Sequence, residues 1–404
     1  MRKWICCHLG AREHYAAPRA LHRRGQLSAL VTDAWATPGS PWSLAPGKTG
    51  RRLSERYSTE LAAANVHDFT SSLLAHEAGW RVNGLEGWPL AMARNQWFQS
   101  RAAEKVAVLS AAASSSTVVF AHSYAALEVF RIAKTKGLTC VLGQIDPGEA
   151  HAAIVKSVAD RWPEFGPPLP APPPEYFSAW REECRLADRI VVNSEWSHGL
   201  LTRSQVEDSK IRVIPLPYEA EGHESAFERA YPSAFTAERP LRVLFVGTVA
   251  TFKGVPALLE ALDHLEGLPI ALQMVGAVAA TIPLRFLNDP RIEWMGAVSR
   301  SVVMDHCRDA DVLVFPSYSD GFGMAQVEAQ GWRLPIIASR SCGRVVEDGV
   351  NGFLLPEVSA AAIASTLKRI LDPAVLTRLA TTARNTSSTI DAFGAALSEV
   401  LPNA

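Results

Sequence analysis

The sequence predicts an α/β protein made of two doubly wound lobes with a cleft between them. Its 404 residues exceed the usual size of one hydrophobic core. Apolar strand-like segments alternate with amphipathic helical segments in both halves, which is typical of parallel sheets covered by helices. The alternation restarts after an irregular, proline-containing stretch. We therefore expect an N-terminal lobe over residues 1–215, a linker over 216–240, a C-terminal lobe over 241–385 and a helical tail over 386–404.

Composition narrows the classes of partner. The 40 basic and 41 acidic residues nearly cancel, so no polybasic signature indicates a nucleic-acid partner. The sequence contains no run of 18 apolar residues, so it predicts no membrane span. The six cysteines show no C-x-x-C spacing, which favours buried reduced thiols and a cytoplasmic location. The short apolar stretch at the N-terminus is interpreted as a first buried strand and not as a signal peptide.

The first lobe opens with a strand over residues 3–7, a loop, a helix over 15–24 and a strand over 27–31. Gly10 lies where the first strand turns towards its helix. Ligands of such sheets bind at the carboxyl ends of the strands, so Gly10 can allow close approach of a substrate. An ordinary turn glycine is the alternative. The full G-x-G-x-x-G fingerprint of dinucleotide binding is absent.

An insertion over about residues 35–105 carries no clear strand pattern and is expected to be mostly helix and loop. It contains basic residues and several tryptophans: Arg51, Arg52, Arg56, Trp35, Trp42, Trp80, Trp88 and Trp97. Aromatic side chains with basic neighbours are compatible with an acceptor site or with peripheral contact to a membrane. The alternative is that the tryptophans pack inside the lobe and the arginines are solvated.

Polar residues follow the next two predicted strands, at residues 117–121 and 138–143. His122 follows the first of them, and Gln144 and Asp146 follow the second, with His151 further on. At the expected cleft edge, a histidine can bind phosphate or orient a hydroxyl group. A structural histidine is the alternative. The proline-rich stretch over about residues 163–174 is expected to be a stiff surface loop.

The second lobe begins with a strand over residues 241–246 and a glycine-containing turn before a helix from about 255. Gly247 and Lys253 are the informative residues of that turn. A lysine in such a connection can act as a point charge on a diphosphate beside backbone N–H donors.

A compact unit over residues 311–339 reads as strand, turn, helix and strand. Asp320 lies on the turn and Glu328 lies about one turn into the helix, so both carboxylates can face one small ligand. The helix N-terminus adds free N–H groups and partial positive charge, which suits phosphate. The unit therefore predicts a nucleotide-sugar site.

The chain resembles the retaining glycosyltransferases of family 4, which have the GT-B fold of two Rossmann-like lobes. The resemblance spans most of residues 188–356 and is carried by ADRIVVNSEWS, KIRVIPLP, VLFVGTVATFKG, DVLVFPSYSDGFGMAQVEAQGWRLPIIAS and EDGVNGFLLP. It implies a metal-independent, retaining transferase of hexosyltransferase type with no cofactor. The donor would be a nucleotide sugar, and the unidentified acceptor would be a glycan, a lipid or a small molecule.

The resemblance also implies roles for particular residues. Glu328 matches the glutamate that binds the donor ribose, Asp320 matches the acid that contacts the transferred sugar, and Lys253 matches the diphosphate lysine. The remaining donor positions are Gly247, Thr248, Gly321, Phe322, Gly323 and Met324. The first lobe would contribute Gly10 and Gln144 to substrate binding, and His122 and Asp146 would join Asp320 as catalytic residues.

Four positions depart from the family pattern. Asp320 replaces a glutamate, Thr248 an arginine, Arg344 an acid and Gln144 a histidine. Two alternatives therefore stay open, namely a sugar-nucleotide epimerase on the same fold and a catalytically impaired donor-binding subunit of a glycosyltransferase complex. The expected location is cytoplasmic, or peripheral at the inner membrane face if the insertion touches a membrane.

Overall fold

The computed structural model of the chain contains two parallel sheets. It describes residues 2–44, 50, 53–112, 116–167, 169–219, 224, 226–383 and 388–401.

The N-terminal sheet has seven strands in the order β3-β2-β1-β4-β5-β6-β7. The strands are β1 Lys3–His8, β2 Leu27–Thr32, β3 Val66–Asp68, β4 Thr117–His122, β5 Thr139–Gly143, β6 Arg189–Val192 and β7 Ile211–Val213. Every neighbouring pair is parallel. The strand order reverses between β1 and β4, so their carboxyl ends border the crevice in which such sheets bind ligands.

The C-terminal sheet repeats this arrangement with six strands in the order β10-β9-β8-β11-β12-β13. The strands are β8 Leu241–Val246, β9 Ile270–Val275, β10 Ile292–Gly296, β11 Val312–Phe315, β12 Ile336–Ala338 and β13 Gly352–Leu354. Here the order reverses between β8 and β11, whose carboxyl ends carry the Lys253 turn and the Asp320 loop. The prediction of two doubly wound lobes is confirmed.

Helices cover both faces of each sheet, so the central strands are mostly buried and rich in apolar residues. The described helices are α1 Ala16–Arg23, α2 Thr70–Val82, α3 Gly87–Leu109, α4 Leu127–Thr135, α5 Glu149–Arg161, α6 Pro174–Leu186, α7 Glu195–Arg203, α8 Val255–Ala261, α9 Leu284–Leu287, α10 Arg300–Asp309, α11 Met324–Gly331, α12 Ala360–Arg369, α13 Pro373–Thr382 and α14 Ile390–Glu399. None of them combines the length and apolar character needed to cross a bilayer. The six cysteines are all buried free thiols, as predicted.

The insertion forms helices α2 and α3, as expected, and it also contains strand β3, which the sequence analysis missed. This edge strand has three residues, and their side chains are only half-buried or exposed, so they give no apolar alternation. The tryptophans pack inward: Trp97 is buried, and Trp80 lies edge-on to it at 6.3 Å. Arg51 and Arg52 lie outside the described residues.

The prediction of a surface loop over residues 163–174 is wrong at both ends of this range. Pro163–Phe165 forms a short 3₁₀ turn, and Phe165 is only 1% exposed. Its ring stacks on Phe286 of the C-terminal lobe at 6.1 Å and lies in that lobe's core with Val158. Pro174 begins α6, since a proline at the first helical position loses no hydrogen bond. Helix α5 and this turn therefore anchor the N-terminal half to the C-terminal core.

The chain returns to the N-terminal lobe at its end. Helix α14 packs on α1, with Gly394 against Ala20. Its buried residues Phe393 and Leu397 share a core cluster with Trp4 of β1. The C-terminal helix is thus an element of the N-terminal core.

Replacement of Phe165 by alanine should lower the free energy of unfolding by about 3–5 kcal/mol, because it leaves a cavity inside the C-terminal core. Urea unfolding of the intact chain measures the change. Leu169→Ala is the matched control, since Leu169 is 43% exposed and its truncation should change stability by less than about 0.5 kcal/mol. Equal effects of the two substitutions would contradict the anchoring role of Phe165.

Candidate active site

The turn that carries Lys253 is brought close to the end of β11 by a glycine. Thr251–Lys253 forms a short 3₁₀ turn, and Gly254 follows with φ 77°. A Cβ atom on Gly254 would lie 2.0 Å from the carbonyl oxygen of Pro316. Only glycine permits both this backbone conformation and this approach. Lys253 consequently reaches the loop that follows β11.

Asp320 in that loop forms an ion pair with Lys253. Asp320 Oδ1 also accepts a hydrogen bond from the Phe322 amide at 3.3 Å, and the Asp320 amide donates to Ser341 O at 2.9 Å. The two charged side chains are 19% and 16% exposed, so solvent screens the pair only partly. The turn and the loop therefore present an ammonium group and a carboxylate to one small volume.

Glu328 lies on α11, whose N-terminus follows this loop. Its carboxylate lies 3.4 Å from the guanidinium of Arg300, a residue that the sequence analysis did not single out. Burial raises the pKa of Glu328, and the charge of Arg300 opposes that rise. Both side chains line a cavity of about 390 Å³ together with Met324, and Glu13 and His14 line its opposite wall. This cavity lies between the lobes.

The loop residues around Asp320 differ in what they contribute. Phe322 is 6% exposed and packs against Gly343, so its side chain supports the loop from within the core. Gly323 precedes α11 with φ 85°, and a Cβ atom there would meet the Phe315 ring at 2.7 Å. Gly321 presents its carbonyl oxygen to the N-terminal lobe.

Asp146 lies next to this loop. A Cβ atom on Gly321 would lie 3.8 Å from Asp146 Cα. Asp146 Oδ1 accepts hydrogen bonds from Tyr124 Oη at 2.7 Å, Gln144 Nε2 at 3.3 Å and the Gly148 amide at 2.8 Å. Among the described residues no donor binds Oδ2, which leaves this oxygen for a substrate.

Gln144 does not itself face a ligand. It is 3% exposed, and its Oε1 accepts from Trp180 Nε1 at 2.9 Å. Its amide nitrogen is directed to Asp146. The expectation of a substrate contact is therefore replaced by a supporting position behind Asp146.

His151 is the histidine that contacts the opposite lobe. Its Nδ1 lies 2.8 Å from Ser319 Oγ, and its ring is perpendicular to Phe252 at 5.5 Å. Burial lowers the pKa of His151, the charges of Asp146 and Asp320 raise it, and Lys253 lowers it. His151 thus lies within the electrostatic reach of all three charged groups.

The catalytic role predicted for His122 is corrected by its position inside the lobe. His122 is 4% exposed, and its Nδ1 lies 3.3 Å from Gly143 O. Its ring lies edge-on to the buried ring of His8 at 4.5 Å. Burial lowers the pKa of His122 to about 3, so the ring is neutral and is closed off from the cleft.

The other predicted positions are distributed around the two switch points. Gly247 directly follows β8 and donates to Val275 O at 2.9 Å. Thr248 is exposed and makes no side-chain hydrogen bond within the described part of the chain, and Arg344 is also exposed. Gly10 follows β1 and donates to Asp33 Oδ1 at 3.0 Å. Donor contacts by Gly247 and Thr248 remain predictions.

A second cavity of about 1080 Å³ opens at the carboxyl end of β1, beside α2 and α3. Its wall contains two neutralised pairs: Asp33 with Arg56 at 2.5 Å, and Glu77 with Arg94 at 2.7 Å. The wall also contains Arg12 and Arg81, whose guanidinium groups form no ion pair or hydrogen bond with the described residues, and one exposed acid, Glu55. Unpaired positive charge therefore exceeds unpaired negative charge on this wall.

Comparison with known families locates the similarity in the C-terminal lobe. Residues 240–373 match the family model described as Glycosyl transferases group 1. The D-inositol 3-phosphate glycosyltransferase of Mycolicibacterium vanbaalenii is 28% identical over 233 residues, which cover 51% of this chain and 52% of that protein. The D-inositol 3-phosphate glycosyltransferase of Xylanimonas cellulosilytica is 31% identical over 221 residues, which cover 46% of this chain and 51% of that protein. The chain thus spans about half the length of these curated relatives.

Solved structures resemble the chain over its whole length. Anabaena HepE in complex with UDP and glucose superposes with a TM-score of 0.63 at 15% identity, with 99% of each chain covered. Sucrose-phosphate synthase from Thermosynechococcus elongatus superposes with a TM-score of 0.63 at 16% identity, with 99% of this chain and 98% of that chain covered. At such identities the likeness shows the fold.

Two doubly wound sheets that face each other across a charged cleft define a protein with the GT-B fold. Residues 240–373 match the family model of the group 1 glycosyltransferases, so the predicted resemblance to this family is confirmed for the C-terminal lobe.

The buried, neutral rings of His8 and His122 should each make a contribution to stability that decreases as pH falls below about 6.5. Burial lowers the pKa of both rings, for His122 to about 3, whereas unfolded histidines titrate near 6.5. Between these pH values the unfolded chain binds more protons than the folded chain. Each ring therefore lowers the free energy of unfolding by up to about 1.4 kcal/mol per pH unit. Urea unfolding between about pH 7 and pH 4.5 measures the slope.

Substitution of one buried ring isolates its share of this slope. His122→Asn should reduce the slope by about one proton, and the exposed control His264→Asn should leave it unchanged. An unchanged slope in His122→Asn would show that His122 accepts its proton in the folded state.

Proposed function

We propose that the protein transfers a sugar from a nucleoside-diphosphate sugar to an acceptor bound by the N-terminal lobe, with retention of configuration and without a metal. The observation that carries the proposal is the Lys253–Asp320 ion pair beside the N-terminus of α11, with Glu328 one turn further on. The fold is shared with Anabaena HepE, which was solved with UDP-glucose. The curated relatives are named as glycosyltransferases.

The donor is proposed to lie along the loop and the first turns of α11. Lys253 and the free N–H groups of the helix suit the diphosphate. Glu328 faces the interlobe cavity and can accept hydrogen bonds from two ribose hydroxyls. Arg300 holds the Glu328 carboxylate in place through an ion pair at 3.4 Å.

The transfer breaks the bond between the anomeric carbon and the diphosphate oxygen and forms a bond from that carbon to the acceptor hydroxyl oxygen, whose proton passes to Asp146. Negative charge then develops on the leaving diphosphate, and the Lys253 ammonium stabilises it. Positive charge develops on the sugar, and the Asp320 carboxylate, which lies beside Lys253, opposes it. Asp146 Oδ2 is placed to accept a hydrogen bond from the acceptor hydroxyl, because the other oxygen of this carboxylate already has three donors.

The acceptor is proposed to occupy the cavity at the end of β1. Arg12 and Arg81 offer guanidinium groups that suit a phosphate or carboxylate in bidentate geometry. Relatives that are named for D-inositol 3-phosphate support an anionic acceptor.

Donor binding tests the C-terminal site. Calorimetry with UDP-, GDP- and ADP-glucose should find one ligand, which at 100 times its dissociation constant stabilises the fold by about 2.7 kcal/mol. Lys253→Met should weaken that binding and slow transfer by about a hundredfold, since the leaving-group charge loses its partner. Lys156→Met is the control, because Lys156 is 69% exposed and pairs with Asp160 on the same helix.

Three outcomes would overturn the proposal. Failure of all three nucleotide sugars to bind would remove the donor site. Equal transfer rates for Lys253→Met and Lys156→Met would remove the role of Lys253. Conversion of the bound donor into an epimer without any acceptor would favour an epimerase on this fold.

Substitution of Arg12 and Arg81 tests whether the acceptor is anionic. Their replacement by glutamine should raise the KM for phosphorylated polyols and hexose phosphates by about tenfold for each lost charged contact, with the donor dissociation constant unchanged. Arg101→Gln on α3 is the control, because Arg101 pairs with Glu104 and is not part of the cavity wall. An equal loss for unphosphorylated polyols would contradict an anionic acceptor.

A further inference from the structure

Both chain neighbours of Asp320 are held by the opposite lobe. Ser319 lies on one side of Asp320 and Gly321 on the other. Side chains of α5 and of the start of α7, which belong to the N-terminal lobe, form hydrogen bonds to each of them. The position of Asp320 therefore depends on residues that are distant in sequence and lie across the cleft.

The Ser319 hydroxyl joins two of these side chains. It is completely buried, and its Oγ lies 3.1 Å from Trp196 Nε1 and 2.8 Å from His151 Nδ1. The indole N–H can only donate, so Ser319 accepts there and has its own proton left for His151. A neutral His151 ring with its proton on Nε2 accepts that bond at Nδ1, and burial favours the neutral ring.

The Gly321 carbonyl accepts hydrogen bonds from the other two side chains, those of Ser194 and Ser197. Ser194 Oγ lies 2.5 Å and Ser197 Oγ 3.2 Å from this oxygen. Ser194 is also the N-cap of α7, where its Oγ accepts from the Ser197 amide at 3.1 Å. The geometry of the helix cap thus fixes where the two hydroxyls meet the Gly321 carbonyl.

The bonds that Asp320 itself makes belong to the C-terminal lobe. Its amide donates to Ser341 O, and its carboxylate pairs with Lys253. One lobe therefore fixes the residue, and the other fixes the chain on both sides of it. If the lobes separate, the four interlobe hydrogen bonds break together, while the contacts of Lys253 and Glu328 within the C-terminal lobe persist.

We propose that these four side chains form a latch, composed of His151, Ser194, Trp196 and Ser197, that positions Asp320 for transfer only when the lobes are closed. The proposal rests on the function proposed above. The latch residues are positioning residues, since they act on Asp320 through Ser319 and Gly321. Their loss should lower turnover without weakening the binding of the nucleotide, because its proposed contacts lie in the C-terminal lobe.

Trp196→Phe removes the indole donor and keeps an aromatic ring. Its matched control is Trp294→Phe, since the Trp294 indole nitrogen has no partner in the described part of the structure. Ser197→Ala tests the other half of the latch and leaves the Ser194 cap. The probe is UDP-glucose, or the GDP- or ADP-glucose that calorimetry selects, and turnover is measured as release of the nucleoside diphosphate.

We expect Trp196→Phe and Ser197→Ala each to lower kcat by about tenfold, since small displacements of a reacting group are costly. The dissociation constant of the nucleotide and the unfolding temperature should stay near the wild-type values. Trp294→Phe should behave as wild type. Equal kcat values in Trp196→Phe and Trp294→Phe, or a loss of nucleotide affinity that matches the loss of kcat, would overturn the latch.

A double substitution separates positioning from general damage. If the latch acts through Asp320, adding Trp196→Phe to Asp320→Asn should lower the residual rate no further. A full additional tenfold loss would overturn the proposal. Wild-type protein that binds no nucleotide sugar would refute the proposed function itself, whereas donor binding with unimpaired turnover in the latch variants would refute the latch alone.

Discussion

The ion pair between Lys253 and Asp320 is the interaction on which the candidate site depends. Its two residues follow adjacent strands of one sheet, so the strand order brings them together although they are 67 positions apart in the chain. The approach is possible because Gly254 lets its turn lie against the Pro316 carbonyl. A partly buried pair of this kind is worth little as a source of stability, but either charge alone would be costly. Each residue therefore keeps the other in a geometry that suits a charged substrate.

The C-terminal site could be predicted from sequence because its parts are local. A glycine turn after an apolar strand places Lys253, and the spacing of Asp320 and Glu328 places two acids around one helix start. Neither signal depends on distant contacts. Arg300 was missed because its relation to Glu328 depends on how α10 packs beside α11, and no local pattern records that packing.

The N-terminal half was less predictable for the same reason. The rule that ligands bind at strand ends points equally to His122 and to the residues after β5, and it does not say which side chain turns into the core. The structure buries His122 beside His8 and brings His151 to the lobe interface. Phe165 lies in a proline-rich stretch that indicates an exposed loop, yet its partner Phe286 lies in the other lobe. The positions of His151 and Phe165 depend on the packing of one lobe on the other.

The return of α14 to the N-terminal lobe has a consequence for biosynthesis. Trp4 and Cys6 of the first strand share their core with Phe393 and Leu397, which follow the C-terminal lobe in the chain. The ribosome therefore releases the whole C-terminal lobe before the first sheet can gain its final cover. During that time part of an apolar surface stays open, and such surfaces are where nascent chains aggregate or recruit chaperones. The first lobe can therefore be completed only after the C-terminal lobe has been synthesised.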